Sequence, residues 1–280
     1  KLGENIKNLN GRDYILISVD PCRIIIEKTL YAFDDIDANK LIPFFSKKNI
    51  LIQSNFHKKY FESFIYNSIS KYKVNASGFE IVELEKKPEI KLFFEKNLSN
   101  TISLQLYFCY DKYSFCHSPA QNNYVEINEK NGEFSYIKVI RDTEKEKEIV
   151  SLLIENGLIL SSDNFFVLVQ NTDYDNILQW IYDNEKLLKD NNIKVFSENK
   201  IKFSLERSDL KIKVNNAEDW FDLNIVMKFG NYEIKFKDLR KNLLKHQKEY
   251  VLPNGEIAVI PEEWFAKYSD IALFAKNENN

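Results

Sequence analysis

General acid–base work in this chain would fall first to its three histidines, His57, His117 and His246. A nucleophile needs its base within hydrogen-bond reach. The one adjacent pairing is Cys116-His117, and neighbours in a strand project to opposite faces, so the pair makes a poor dyad. Cys109, Cys116 and His117 could be drawn as a zinc set. Structural zinc asks for four nitrogen or sulfur ligands, usually from close cysteine pairs. Here the two cysteines stand seven apart with no evident fourth ligand, so buried, inert thiols are the better reading. Two acidic clusters occur, Asp34-Asp35-Asp37 and Glu144-Glu146-Glu148. Neither has the spacing of a calcium loop, and both read as solvated surface. Paired carboxylates for glycoside chemistry would have to meet across a groove, which spacing alone does not show.

Nucleotide chemistry is excluded more firmly. The seven glycines lie at positions 3, 11, 78, 132, 157, 230 and 255, and no two are closer than eight residues. A P-loop and a dinucleotide fingerprint both need glycines a few residues apart, because only glycine lets backbone approach a phosphate so closely. Neither pattern can be drawn, so no cofactor is expected in these 280 residues.

One stretch suggests binding instead. KDLRKNLLKHQK, residues 237–248, reads as an amphipathic helix. At about 100° per residue, Lys237, Lys241, Lys245 and Lys248 share one quadrant, Arg240 flanks it, and Phe236, Leu239 and Leu243 face the other way. Such a stripe can track phosphates, and it is also the solvated side of an ordinary surface helix. With a net charge of −3, any nucleic-acid contact must come from a local patch and not from a global field. The 15 Tyr, 21 Phe and 3 Trp mostly alternate with polar residues, as core positions do.

The elements that would carry these residues alternate in type. Strands are expected at 14–19 and from 23, at 79–85, 89–95, 101–110, 165–169, 193–197, 201–206 and 210–214. Asn131-Gly132 between YVEIN and FSYIKVI is a strong hairpin signal. Helices are expected at 57–72, at 142–156 with Gly157 past its end, and at 173–189. A closing unit begins at Asp219: two strands, a helix at 237–247, a hairpin at 250–260 and a helix at 261–271. Strands joined by hairpins, with four or five helices, imply an α+β fold with mostly antiparallel sheets and no P-loop or Rossmann unit. Lys86-Lys87-Pro88 suggests a division into an N-terminal α+β region, 1–88, and a second domain, 89–280.

No apolar run approaches the ~18–20 residues of a membrane helix, and no secretion signal opens the chain. Three cysteines make no disulfide framework, which points to a reducing cytoplasm. A start at Lys1 without Met reads as a segment of a longer protein.

Two stretches carry a family resemblance. They are VIRDTEKEKEIVSLLIENGL (139–158) and DWFDLNIVMKFG with EIKFKDLRKNLLKHQKEYVLPNGEIAVIPEEWFAKYSD, within 219–270. Together they resemble the accessory region that precedes the ATPase in bacterial Swi/Snf-family helicases. There an Asp-Trp-Phe-Asp strand, a short helix, a Leu-x-Asn/Asp-Gly hairpin and a Trp-containing helix recur upstream of the motor. The resemblance implies a non-catalytic helicase-associated accessory domain of a DNA-dependent ATPase, which positions nucleic acid or regulates the motor. The whole protein would be an ATP-dependent hydrolase, with ATP and magnesium held by that motor. DNA and the protein's own C-terminal motor are the expected partners, and no membrane is. Some relatives carry an N-terminal Cys/His zinc module; its pattern is missing here, so zinc is not carried over. An alternative is a protein-interaction module that docks on its own motor or another subunit without touching DNA, through Trp264, Phe265 and Tyr268 if these are exposed. A freestanding hydrolase is a third and poorer reading, since it needs a convergent pocket of carboxylates or a Cys-His pair.

Overall fold

The computed structural model describes residues 14–33, 38–40, 51–96, 102–117, 123–168, 173–206, 208–214 and 223–274. The Asp34-Asp35-Asp37 cluster and the Asp219–Asp222 start of the closing unit lie outside them. The chain divides into two compact units, 1–74 and 75–280.

In the first unit, β1 (Tyr14–Ser18), β2 (Cys22–Ile26) and β3 (Thr29–Phe33) form an antiparallel sheet. Period-two alternation sends Cys22, Ile24 and Ile26 to a small core with Ala38. The expected helix at 57–72 is a continuous run, α1, made of His57–Lys59, a π-helical Tyr60–Ile65 and Tyr66–Lys71.

The second unit is built on a central sheet of order β10-β11-β6-β5-β12, with β7 on the side of β6. These strands are β5 (Glu89–Lys96), β6 (Ile102–Tyr110), β7 (Tyr113–Cys116), β10 (Leu158–Leu160), β11 (Phe165–Leu168) and β12 (Ile193–Phe196). Alternation along β5 and β6 points Ile90, Leu92, Phe94, Leu104, Leu106, Phe108 and Tyr110 into one core. The apolar stripes of α2 (Thr143–Glu155), α3 (Tyr174–Asp183) and α4 (Glu185–Asp190) close that core. Beside it, β4 (Glu80–Glu85) runs parallel to β9 (Glu133–Ile140), which pairs antiparallel with β8 (Asn123–Lys130). Residues 80–85 therefore share a sheet with the second unit. Asn131 and Gly132 both take positive φ between β8 and β9, as a two-residue hairpin requires.

The closing part has its own core. β13 (Ser208–Val214), β14 (Leu223–Phe229) and β15 (Tyr232–Lys235) make an antiparallel sheet. On it pack α5 (Phe236–Leu244), the hairpin of β16 (Glu249–Val251) and β17 (Ile257–Val259), and α6 (Glu262–Phe274). β17 joins the two cores. Ile257 and Val259 enter the central core, whereas Ala258 and Ile260 enter the closing one. Polar contacts reinforce this seam: Tyr174 donates to Glu249, and the Glu262 amide donates to Gln179 Oε1 at 3.3 Å.

The fold is α+β with mostly antiparallel pairing, as expected, and six helices stand among the described residues. The sixth arises because the helix expected at 173–189 breaks. Asn184 turns its side-chain amide onto the Trp180 carbonyl at 2.9 Å, competing with the helical backbone. The strand expected at 201–206 is reduced to two bridges, Phe196 with Lys202 and Phe203 with Ile257.

Candidate nucleic-acid interface

α5 is held from below by Phe236, Leu239 and Leu243, all buried in the closing core. Its outer side presents Lys237, Lys241 and Lys245 to solvent, and none of the three forms an ion pair among the described residues. Asp238 sits in the first turn, where a carboxylate suits the helix N-terminus. The helix stops earlier than its periodicity suggests. His246 takes a left-handed φ of 51°, its N–H reaches the Leu243 carbonyl, and Gln247 N–H reaches the Asn242 carbonyl at 2.9 Å. This is a Schellman ending on a residue other than glycine. The His246 ring stacks on Phe265, 5.3 Å between centroids, and that contact holds the turn.

The early ending divides the expected stripe of Lys237, Arg240, Lys241, Lys245 and Lys248. Lys248 lies beyond the helix and is buried. Its ammonium sits 2.9 Å from Glu262 and donates to the Asp175 carbonyl at 3.2 Å. Arg240 turns sideways and donates Nε to the Ala272 carbonyl at 2.6 Å, in the last turn of α6. There a cation offsets the negative end of the helix and satisfies a free carbonyl. Both residues tie elements together, and the lysines at 237, 241 and 245 keep no such tie among the described residues.

The aromatic docking expectation is corrected. Trp264, Phe265 and Tyr268 are buried in the closing core, so they form no exposed patch. Trp264 packs 5.7 Å from Phe229 and 6.5 Å from Tyr268. All three anchor α6 to the sheet and hairpin.

The acidic cluster at 144–148 is corrected as well. Glu144 and Glu148 are exposed, but Glu146 is buried opposite Arg141, with 2% of each side chain accessible. Arg141 donates Nη2 to Glu146 Oε2 at 2.5 Å and Nε to Oε1 at 3.0 Å, a bidentate pair. Tyr110 donates to Glu146 at 2.8 Å and accepts from the Asp142 amide at 2.8 Å. Asp142 itself caps α2 by accepting from Lys145 N–H at 3.1 Å. Phe115 lies under the guanidinium at 5.0 Å. The network fastens the start of α2 to β6 and is closed to substrate.

The cysteines and histidines do not assemble a nucleophilic site. Burial pushes the Cys116 thiol up and His117 down, the opposite of an activated thiolate–imidazolium pair. Cys109 accepts from Ser114 at 3.3 Å and Cys116 from Gln105 at 3.5 Å. No group of metal-ligating side chains occurs among the described residues. None of their helices is long and apolar enough to cross a membrane.

The family model described as bacterial SNF2 helicase associated matches residues 5–276. The chain belongs to that family. Comparison with curated proteins and with solved structures gives no match.

Proposed function

We propose that this chain is a non-catalytic accessory module of a Swi/Snf-type, ATP-dependent DNA motor, and that it positions nucleic acid for that motor through the outer side of α5. The observation that carries the reading is the trio Lys237, Lys241 and Lys245: exposed, without an ion pair among the described residues, and set on a helix whose other side is fixed in a core. Four-residue steps separate them by about 6 Å each, so the trio extends about 12 Å. Phosphates advance about 3.4 Å per residue of one strand, so such a span can meet several of them. Rigid support lowers the ordering cost of each contact. ATP and magnesium belong, on this reading, to the motor, because these residues lack the glycine spacing of a phosphate loop. The motor is the natural partner of the module.

The test is duplex DNA binding by the full chain at low salt. Changing Lys237, Lys241 and Lys245 together to Glu is expected to weaken binding at least about tenfold, with the melting temperature unchanged. Equal affinity in the variant rejects α5 as the contact.

A further inference from the structure

The first unit presents a second surface of different chemistry. Along α1, Tyr60 and Phe64 stack with centroids 5.1 Å apart and planes 14° apart. Both belong to the π-helical run, a form that recurs at functional positions. Phe64 stays 38% exposed. Beside it opens a groove of about 330 Å³ lined by Ser63, Phe64, Asn67, Ser68, Lys71 and Tyr72. Asn67 spends its N–H on the Ser63 carbonyl at 2.7 Å, and Ser68 its O–H on the Phe64 carbonyl at 2.7 Å. The amide oxygen and the hydroxyl oxygen are left as acceptors. Lys71 at one end and Lys59 nearer the other are exposed and form no ion pair among the described residues. Lys58 is matched by Glu62 at 3.7 Å.

A ring face, two acceptors and an unmatched cation suit an aromatic heterocycle that bears N–H donors and an attached anion. From His57 to Lys73 there are four lysines and one carboxylate, which favours an anionic occupant. A polypeptide helix would want a continuous apolar strip, and in this groove the Phe64 ring is interrupted by Ser63, Asn67, Ser68 and the Lys71 ammonium. We infer that the groove on α1 holds an unpaired nucleotide of a single nucleic-acid strand, with the base on Phe64 and its neighbouring phosphate at Lys71. Base–aromatic stacking of this kind tolerates any sequence and prefers single strands to duplex. The site is independent of α5 and stands or falls by itself.

Binding of a labelled oligothymidylate of about 16 nucleotides to the full chain, read by anisotropy beside a duplex of equal length, tests it. Phe64→Ala is expected to weaken single-strand binding about tenfold and leave the duplex unchanged, while Phe64→Trp retains affinity. Lys71→Glu, at an exposed position, should weaken the single strand and flatten its salt dependence, and it serves as the test if Phe64→Ala fails to fold. The Phe64 effect should persist when Lys237, Lys241 and Lys245 are Ala. A wild-type chain that ignores the single strand overturns the inference, as does equal loss on single strand and duplex. So does a Phe64→Ala chain that loses association with the motor polypeptide at unchanged single-strand affinity.

Discussion

Arg141 and Lys241 are both cations of the second unit, and the fold treats them in opposite ways. Arg141 is withdrawn from water and given a bidentate carboxylate, a ring beneath it and a tyrosine that locks the carboxylate. Lys241 and its neighbours at 237 and 245 are lifted on the outer side of a packed helix and have no counter-charge among the described residues. A buried charge demands an internal partner because its desolvation is so costly. An exposed, unpaired row costs the fold little and remains open to an external anion. The contrast separates residues that build the scaffold from residues free to bind, and Arg240 and Lys248 fall on the scaffold side.

The largest effect should come from breaking the buried pair. Glu146→Ala strips the buried Arg141 of its bidentate carboxylate and is expected to cost about 3–5 kcal/mol, lowering the thermal midpoint by roughly 10 °C. Adding Arg141→Met to Glu146→Leu should recover much of that loss, since an apolar pair needs no compensation. Trp264→Ala should cost a similar ~3–5 kcal/mol through the cavity it leaves. Its effect on motor association should then follow the folded fraction alone, as measured by denaturant melts beside pull-downs. Tyr110→Phe, which removes one donor to Glu146 and one acceptor for the Asp142 amide, should cost about 1–2 kcal/mol. Arg240→Ala should cost about 1 kcal/mol, from the freed α6 carbonyl. Lys237→Ala, Lys241→Ala and Lys245→Ala should each stay within about 0.5 kcal/mol. A large destabilisation by any of them would put these lysines with the scaffold and erase the distinction.

How much of this was legible depends on the range of the forces involved. Local chemistry was readable: Asn131-Gly132 makes its hairpin, and α2 runs from its Asp142 cap to Gly157, as their residue types demand. Fates decided by neighbours distant in sequence were not. Glu146 looked like one of three solvated glutamates, yet it shares the stripe of Ile149, Val150 and Leu153, all buried. That i, i+3, i+4, i+7 placement was the available signal that it faces the core. Lys248 looked helical because lysine and glutamine continue a helix readily, whereas a left-handed His246 braced by Phe265 ends it. Trp264 and Phe265 were readable as the inward side of the closing helix, whereas their partners Phe229 and His246 were not. The four-residue spacing put Lys237, Lys241 and Lys245 on one side of α5, but it did not separate them from Arg240 and Lys248, which distant partners claim.

The most direct measurement is the salt dependence of duplex binding by the full chain, with Lys237, Lys241 and Lys245 intact and with all three changed to Ala. Each phosphate contact contributes about 0.9 to the slope of log affinity against log salt. A slope shallower by about 2–3 in the variant, at unchanged melting temperature, is the expected result. An unchanged slope would contradict phosphate contact by α5.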